Sequence, residues 1–248
     1  MRFEEMRSPQ LRQVDRERTM VVLPIAACEQ HGPHCPTGTD TILCRSIAEA
    51  VEAATPEQVL LLPTFWLGAS THHLRLGATL TAGMETYIAI LEEIIEPLLD
   101  EGYRRLLILN GHGGNVDPLK AALRNLQLRN PDALLAGQSY WSMAASQIAE
   151  IMEGNEKTVG HACEAETSLM LYLRPDLVDS AACEDNGEPV ADMIEGAFVC
   201  RDMFQRTRNG ATGRADLATA RKGEAMFHAI VERVGIVVKR LLAEPLPE

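Results

Sequence analysis

The sequence predicts an α/β fold with a layered, mostly parallel sheet. Short apolar runs of strand length alternate with longer stretches in which apolar residues recur at helical spacing. Polar clusters rich in His, Glu and Asp follow some of these apolar runs directly. Such alternation is typical of βαβ units, whose ligands bind beyond the carboxyl ends of the strands. The polar clusters are therefore candidates for a functional site.

Four apolar runs have the length and residue content of buried strands. They cover residues 20–27, 58–63, 105–109 and 133–136. Helical periodicity appears over 40–54, 84–99 and roughly 219–243, and we expect the last of these helices to pack against the domain rather than to bind a partner. Residues 179–213 are polar and Gly-rich without a clear period. They predict a long excursion that covers a site or builds an oligomer contact.

Length and composition exclude several classes of protein. A chain of 248 residues with 46% apolar residues is expected to form one domain over residues 1–248. Its net charge of −12 would repel nucleic acid and anionic membranes, so neither is expected as a partner. The N-terminal residues do not read as a secretory signal. Six cysteines without a CxxC pair fit reduced thiols, so we expect a cytoplasmic protein.

A first polar cluster follows the first predicted strand. Glu29 and His31 are two residues apart, so on an extended segment their side chains leave from the same side and can share a metal ion. Asp40 begins the next predicted helix, where an isolated Asp would more often cap the helix. The neighbouring Glu29 and His31 favour a metal ligand instead. Ligands of this kind suit Zn²⁺, Mn²⁺ or Fe²⁺.

His112 lies in a glycine-rich loop directly after the third predicted strand. Gly111, Gly113 and Gly114 let the backbone approach a ligand closely or adopt positive φ angles. A phosphate-binding turn is the alternative, but the loop lacks the GxGxxG pattern and a Lys followed by Ser or Thr. The loop is therefore a candidate part of the same site.

A third cluster, residues 160–168, leads into a further helical pattern. Glu166 falls on the same helix face as Cys163 and the apolar residues, so we expect it to be buried and paired. Glu164 falls outside that face and is expected to point to solvent. Cys163 beside His161 raises the alternative of a cysteine nucleophile. Its place on the apolar face argues against the exposed thiol of lowered pKa that such chemistry requires.

Two adjacent histidines, His72 and His73, follow the second predicted strand. Neighbouring histidines in a loop are more often solvated than functional. The segment nevertheless lies at the edge of the sheet where ligands are expected. His73 is therefore kept as a candidate substrate contact.

Together, the three clusters resemble the creatininase, or creatinine amidohydrolase, family. The matching segments are EQHGPH at 29–34, GTD at 38–40, NGHGGN at 110–115 and HACEAETS at 161–168, with weaker similarity at 68–79 and 216–220. The resemblance covers roughly residues 20–225. It is closer to the wider family, which includes formylamino-pyrimidine deformylases and a peptidase that matures a redox peptide, than to creatininase proper.

The resemblance implies a single three-layer α/β/α domain with two divalent metal ions per chain, Zn, Mn or Fe. It also implies hydrolysis of a small-molecule amide, formamide or cyclic amide, and a homohexamer. Carried over by position, Glu29 and His112 bind one ion, His31 binds the other, Asp40 bridges both, and His161 is the acid–base residue. Residues expected to contact the substrate are Gly114, Asn115, Trp141 and His73.

One position departs from creatininase proper, which has a metal-binding glutamate where this chain has Gly114. The second ion would then keep only His31 and Asp40, whereas a catalytic zinc commonly has three protein ligands. We expect Glu166 to complete the shell. Glu164 is the competing candidate, and we expect it rather to support the site through a hydrogen bond.

Two other functions stay open at this point. One is a peptidase-like maturation enzyme of the same family. The other is a catalytically silent scaffold that binds metal through the same residues. A chelation-sensitive hydrolase activity would exclude the scaffold.

Overall fold

Four parallel strands form the central sheet of the protein. The structure is a computed structural model that describes residues 1–155 and 157–247. The strands are β1 (Met20–Ile25), β2 (Val59–Leu61), β3 (Arg105–Asn110) and β4 (Leu134–Ser139). Their order is β2-β1-β3-β4, and each neighbouring pair is parallel. The four predicted strands are confirmed, with ends that differ by a few residues.

Helices connect and cover the strands. Within the described residues they are α1 (Ser8–Leu11), α2 (Thr39–Ala54), α3 (Met84–Asp100), α4 (Val116–Arg129), α5 (Tyr140–Met143), α6 (Ala145–Ile151), α7 (Glu164–Leu173), α8 (Met203–Arg206) and α9 (Ala220–Ala243). The three helices predicted with bounds correspond to α2, α3 and α9. A short antiparallel ribbon pairs β5 (Met193–Ile194) with β6 (Ala197–Phe198).

The helices lie on both faces of the sheet, because alternate residues of each strand face two different apolar cores. Val22 and Leu107 belong to the core that α2, α7 and α9 complete. Val21 and Leu106 belong to the core that α3 and α4 complete. All residues of β1 and β3 are buried, as expected for parallel strands covered on both faces. The predicted fold, a three-layer α/β/α sandwich, is confirmed.

The last helix and the polar segment before it behave as predicted. α9 packs against α7 and α2 through buried side chains of one face, among them Met226, Ile230 and Val234. Residues 179–213 form short turns, the β5–β6 ribbon and α8, and several of them line a cavity. The segment therefore covers a site. No helix of the described chain combines the length and apolar character needed to cross a membrane.

The carboxyl ends of β1 and β3 set the position of that cavity. Ile25 lies beside Asn110 at the ends of these adjacent strands, so the polar clusters that follow leave the sheet next to each other. Asn110 tightens the second cluster: its Nδ2 donates to the carbonyl oxygen of His112 at 2.7 Å, and its Oδ1 accepts from the amide of His112 at 3.0 Å. The expected ligand edge of the sheet therefore carries the site.

Candidate metal centre

A cavity of about 490 Å³ opens at this edge of the sheet. Asp40, His112, His161 and Glu166 line it, so all three sequence clusters meet there. Glu29 and His31 lie just behind this lining and are almost completely buried. The predicted site residues are thus brought together by loops that are far apart in sequence.

Asp40 lies at the centre of the cluster. Its Oδ1 is 3.1 Å from His31 Nε2, and its Oδ2 is 3.0 Å from His112 Nδ1. Asp40 is in the first turn of α2, but the N-cap of that helix is Gly38, which has no side chain to donate or accept a capping bond. The carboxylate therefore faces two histidines on different loops instead of capping its own helix.

Glu29 and His112 meet on one side of Asp40. Glu29 Oε1 lies 3.1 Å from His112 Nδ1. The other nitrogen of His112, Nε2, is 3.2 Å from the hydroxyl oxygen of Ser70. The loop can come this close to α2 because residue 111 is a glycine: a Cβ there would lie 2.5 Å from Cys44 Cβ.

His31 and Glu166 meet on the other side. His31 Nε2 lies 3.9 Å from Glu166 Oε2, and His31 Nδ1 lies 3.3 Å from the carbonyl oxygen of Glu29. Glu166 Oε2 also accepts a hydrogen bond from the amide of Ala162 at 2.6 Å. The helix phase deduced from the sequence therefore brings Glu166 to the cluster.

The two predictions for Glu164 are wrong. Its side chain is buried rather than solvent-facing. It forms a 2.7 Å ion pair with Lys222 Nζ and accepts from the backbone amides of Glu153 and Gly154, each at 2.9 Å. These partners lie away from the cluster, so Glu164 hydrogen-bonds to none of the predicted ligands. Its role is to fix the loop between α6 and α7.

His161 and His73 lie beside Glu29. His161 Nδ1 is 3.6 Å and His73 Nε2 is 3.4 Å from Glu29 Oε1. The side-chain amide of Gln30 donates to His73 Nδ1 at 2.8 Å, while the backbone carbonyl of Gln30 lies 2.7 Å from His161 Nε2. Gln30 therefore orients both rings, a role that the sequence analysis missed.

The cluster fits two divalent cations. Glu29, Asp40 and His112 form one group whose ligand atoms lie within 4.8 Å of one another, and His31, Asp40 and Glu166 form a second. Both Glu29 oxygens, His31 Nε2 and Asp40 Oδ2 are buried and form no hydrogen bond of good geometry among the described residues, although His112 Nδ1 lies 3.1 Å from Glu29 Oε1 and 3.0 Å from Asp40 Oδ2. Such buried polar atoms are rarely left unpaired. Nitrogen and carboxylate donors in this number suit Zn, Mn or Fe.

The surroundings of the histidines agree with ligation. Metal-binding histidines usually donate their second N–H to an oxygen, which orients the ring. His31 has the carbonyl of Glu29 at its Nδ1, and His112 has the Ser70 hydroxyl at its Nε2. In each case the remaining nitrogen faces Asp40. Glu29, His31 and His161 form a third close group, so His161 also lies within reach of the same centre.

The carboxylates create a strongly negative environment. Burial opposes ionisation of Asp40, but His31 and His112 outweigh it and hold the pKa of Asp40 well below its usual range. Burial likewise opposes protonation of His112, yet Glu29 and Asp40 raise its pKa to about 10. Every ion pair that the described structure gives Glu29, Asp40 and Glu166 is with a histidine. The cluster therefore favours bound positive charge.

His161 differs from the other histidines of the cluster. Burial, reinforced by the nearby His31, lowers the pKa of His161 to about 4 despite the attraction of Glu29. The ring is thus neutral at physiological pH. A neutral imidazole that lines the cavity can accept a proton.

Three of the four predicted substrate contacts line the cavity: Gly114, Trp141 and His73. The prediction for Asn115 is wrong. Its side chain is fully buried, with Oδ1 accepting from the amide of Ala69 at 2.9 Å and Nδ2 donating to the carbonyl of Ala26 at 3.0 Å. Asn115 joins three loops beneath the site. Further lining residues that the sequence analysis did not select include His72, Met203, Arg206 and Thr212.

Cys163 does not have the properties of a nucleophile. Its side chain is buried, and burial together with the nearby Glu166 raises the pKa of the thiol to about 12. Reactive thiols require the opposite, a lowered pKa and access to substrate. The structure therefore argues against the cysteine alternative.

Comparison with known proteins identifies the family. A family model described as creatinine amidohydrolase matches residues 4–238. The chain belongs to the creatininase family. It is 28% identical to the mycofactocin precursor peptide peptidase of Mycobacterium tuberculosis, over 91% of this chain and 86% of that protein. It is 28% identical to the creatinine amidohydrolase of Pseudomonas putida, over 89% of this chain and 88% of that protein.

Solved structures of creatininase-family proteins share the fold. A putative creatinine amidohydrolase from Bacteroides fragilis superimposes with a TM-score of 0.83 at 28% identity, over 100% of this chain and 98% of that one. A creatininase variant of the Zn-Zn type superimposes with a TM-score of 0.80 at 25% identity, over 96% and 97% of the two chains. A manganese form of creatininase matches equally well, with the same TM-score, identity and coverage. Family membership and the buried cluster make this chain a metal-dependent amidohydrolase.

Proposed function

We propose that this creatininase-family enzyme hydrolyses a small non-peptide amide, formamide or cyclic amide. The observation that carries the proposal is the pair of ligand groups that share Asp40 beside the neutral His161, in a cavity of about 490 Å³. A cavity of that volume suits a small molecule. The relative from Pseudomonas putida, a creatinine amidohydrolase, supports the same class of substrate.

Two divalent ions would be held by the residues of the cluster. Glu29, Asp40 and His112 are the proposed ligands of one ion, and His31, Asp40 and Glu166 those of the other. Zn and Mn are favoured because structures of creatininase contain them. Such ions, when bound, supply a Lewis acid that lowers the pKa of water and polarises an amide carbonyl.

His161 is the proposed acid–base residue. Its Nε2 donates to the carbonyl oxygen of Gln30, which leaves Nδ1 to accept a proton from the attacking water and to pass it to the leaving nitrogen. Trp141 and Val159 form apolar parts of the cavity wall, where they exclude water from the bound substrate. His73 and Gly114 are proposed to contact the substrate.

Hydrolysis of a panel of small amides, formamides and cyclic amides tests this function. We expect Zn- or Mn-loaded enzyme to hydrolyse at least one class, a chelator to abolish that activity, and added metal to restore it. Activity that survives removal of the metal would contradict the proposal. A protein that binds two ions and hydrolyses nothing in the panel would be the silent scaffold.

Peptide hydrolysis is the second candidate, because the chain is similar to the mycofactocin precursor peptide peptidase over most of its length. The same panel should therefore include peptides with free termini and peptides with blocked termini. Preference for a peptide over every small amide would favour this candidate.

The state of the protein in the cell is also proposed: the hexamer and the single domain follow the family resemblance, and the cytoplasmic location follows from six cysteines without a CxxC pair. We infer a single domain over residues 1–248, a cytoplasmic location and a homohexamer. A monomeric mass in light scattering at micromolar concentration would exclude the hexamer.

A further inference from the structure

One cation lines the cavity outside the histidine–carboxylate cluster. Arg206 ends α8 and lines the same cavity as Asp40, His112 and Glu166. It is the one Lys or Arg among the described lining residues. Its side chain is 26% exposed, so the guanidinium is accessible to a ligand.

Arg206 is only loosely paired within the chain. Its Nη1 lies 3.5 Å from Asp192 Oδ2, and its Nε lies 3.4 Å from the carbonyl oxygen of Val190. Both distances exceed those of ordinary hydrogen bonds. A guanidinium carries five N–H donors in a planar fork that matches the two oxygens of a carboxylate. These two long contacts leave most of the donors available to a ligand.

Contacts with a neighbouring turn hold α8 at the cavity. Arg75 donates to Asp202, the N-cap of α8, with Nη1 2.9 Å from Oδ2, and its guanidinium lies 4.3 Å from the ring of Phe204. Arg75 belongs to the turn Thr71–Leu76, which also brings His72 and His73 to the cavity. The position of Arg206 is therefore coupled to the wall of the site rather than to a separate surface.

The net charge of the chain indicates why a cation at the cavity would matter for substrate binding. A net charge of −12 repels anions in solution. An anionic substrate needs a local positive group to offset that repulsion, whereas a neutral substrate does not. The carboxylates and the positively charged His112 that also line the cavity belong to the metal cluster, so Arg206 is the permanently charged cation that can supply it outside the cluster.

We propose that Arg206 binds a carboxylate of the substrate, so that the enzyme prefers small amides that carry a carboxylate, such as N-acyl amino acids or lactam acids. The inference rests on the proposed function, because it assigns one end of the substrate to Arg206 and the amide to the metal cluster. A single guanidinium fork provides a bidentate site for a carboxylate.

Binding of two matched hydroxamates to the full-length, Zn-loaded protein tests the proposal. Succinic monohydroxamic acid and its neutral primary amide share a metal-chelating end and differ in one carboxylate. By titration calorimetry, we expect the carboxylate form to bind about 10- to 100-fold more tightly, the usual effect of hydrogen bonds to a charged group. Arg206→Gln should abolish this preference and leave the affinity for the neutral amide unchanged.

Asp192→Asn is the matched control, because it removes the negative charge that competes for Arg206 and leaves the guanidinium in place. We expect this variant to keep or increase the preference for the carboxylate. If Asp192→Asn and Arg206→Gln instead weakened both hydroxamates equally, Arg206 would only hold the segment in place. Equal affinities of the two hydroxamates for the wild type would overturn the role of Arg206 but not the proposed metal centre. Failure of both to bind would overturn the proposed metal centre, and the inference with it.

Discussion

His161 Nε2 lies 2.7 Å from the backbone carbonyl oxygen of Gln30. The side-chain amide of Gln30, a donor, lies 3.2 Å from the same nitrogen, but the carbonyl oxygen is nearer and only accepts hydrogen bonds, so it favours the tautomer of His161 with the proton on Nε2. The other nitrogen, Nδ1, faces Glu29 Oε1 at 3.6 Å. A backbone contact therefore selects the tautomer in which Nδ1 can act as a base, and no side-chain substitution at residue 30 removes that contact.

We predict that His161→Ala retains its metal and loses turnover by about 10²- to 10⁴-fold, the range typical of a general acid–base residue. Elemental analysis after dialysis and a hydrolysis assay measure the two properties on the same sample. His161 also lies close to Glu29 and His31. Loss of metal in this variant would therefore reassign His161 as a ligand.

We predict that Glu166→Gln weakens metal binding and that Glu164→Gln leaves it almost unchanged. Glu166 Oε2 lies 3.9 Å from His31 Nε2, within the second ligand group, whereas Glu164 pairs with Lys222. Competition with a chromophoric chelator should show at least about a 10-fold loss of affinity for Glu166→Gln, since even indirect partners of a metal cost that much. Little change is expected for Glu164→Gln. A larger loss of metal affinity in Glu164→Gln than in Glu166→Gln would show that Glu164 is the ligand.

The strands and the main clusters were predictable because their signals are local. The apolar runs determine where the strands lie, and parallel strands bring the segments that follow them to one edge. The helical phase of α7 predicted that Glu166, and not Glu164, would lie at the cluster, because the face on which a helical residue falls depends only on its spacing from the others. The central place of Asp40 was implied by the family resemblance, since position alone favours a helix cap there.

The errors in the sequence analysis concern partners that are distant in the chain. Glu164 was expected in solvent, but Lys222, which is supplied by α9, makes its burial favourable. Asn115 was expected at the substrate, but its amide joins Ala26 to Ala69. Arg206 lies in a segment without periodicity, so its place at the cavity follows from tertiary contacts alone. Pairings of this kind leave no local pattern.

We predict that Asp40→Asn lowers occupancy of both metal positions. Each Asp40 oxygen faces a different histidine, at 3.1 Å for His31 and 3.0 Å for His112. Removing the charge should therefore weaken both ligand groups together. Metal analysis and an anomalous-scattering map of crystals grown with zinc would count the ions. Two fully occupied ions in the variant would show that Asp40 does not bridge them.

We predict that Glu164→Gln destabilises the fold by about 1–3 kcal/mol, because Lys222 loses its buried carboxylate partner at 2.7 Å and keeps only the exposed Glu153 at 3.2 Å and the carbonyl oxygen of Leu217. The double variant Glu164→Gln, Lys222→Met should recover much of that loss. Urea unfolding of the metal-free proteins measures the free energy of unfolding. A double variant as unstable as the single one would contradict the role of the charge.

The same ion pair predicts a dependence on pH. Burial would raise the pKa of Glu164, but Lys222 and two backbone amides outweigh it and lower that pKa. A depressed pKa contributes stability above the unfolded value of about 4.3, and this contribution is lost as the pH falls through the folded value. The stability advantage of the wild type over the double variant should therefore shrink below about pH 4.

Gly114 stands where the family resemblance implies a metal-binding glutamate. A Cβ at this position would lie 2.3 Å from the carbonyl oxygen of Ala69 and 2.5 Å from His112 Nε2. The backbone of Ala69 is held by Asn115, so the loop has little freedom to move away. This chain therefore has no room for a side chain at residue 114 in its present loop conformation.

We accordingly predict that Gly114→Ala lowers the free energy of unfolding by about 1–3 kcal/mol, as overpacking usually does, and weakens metal binding by displacing His112. Gly113→Ala is the matched control, since a Cβ at Gly113 meets no atom within 4 Å. Its metal affinity, measured by chelator competition, should equal that of the wild type. If both alanine variants bound metal as tightly as the wild type, crowding against Ala69 could not explain why residue 114 is a glycine. The absence of the glutamate would then need a different physical cause.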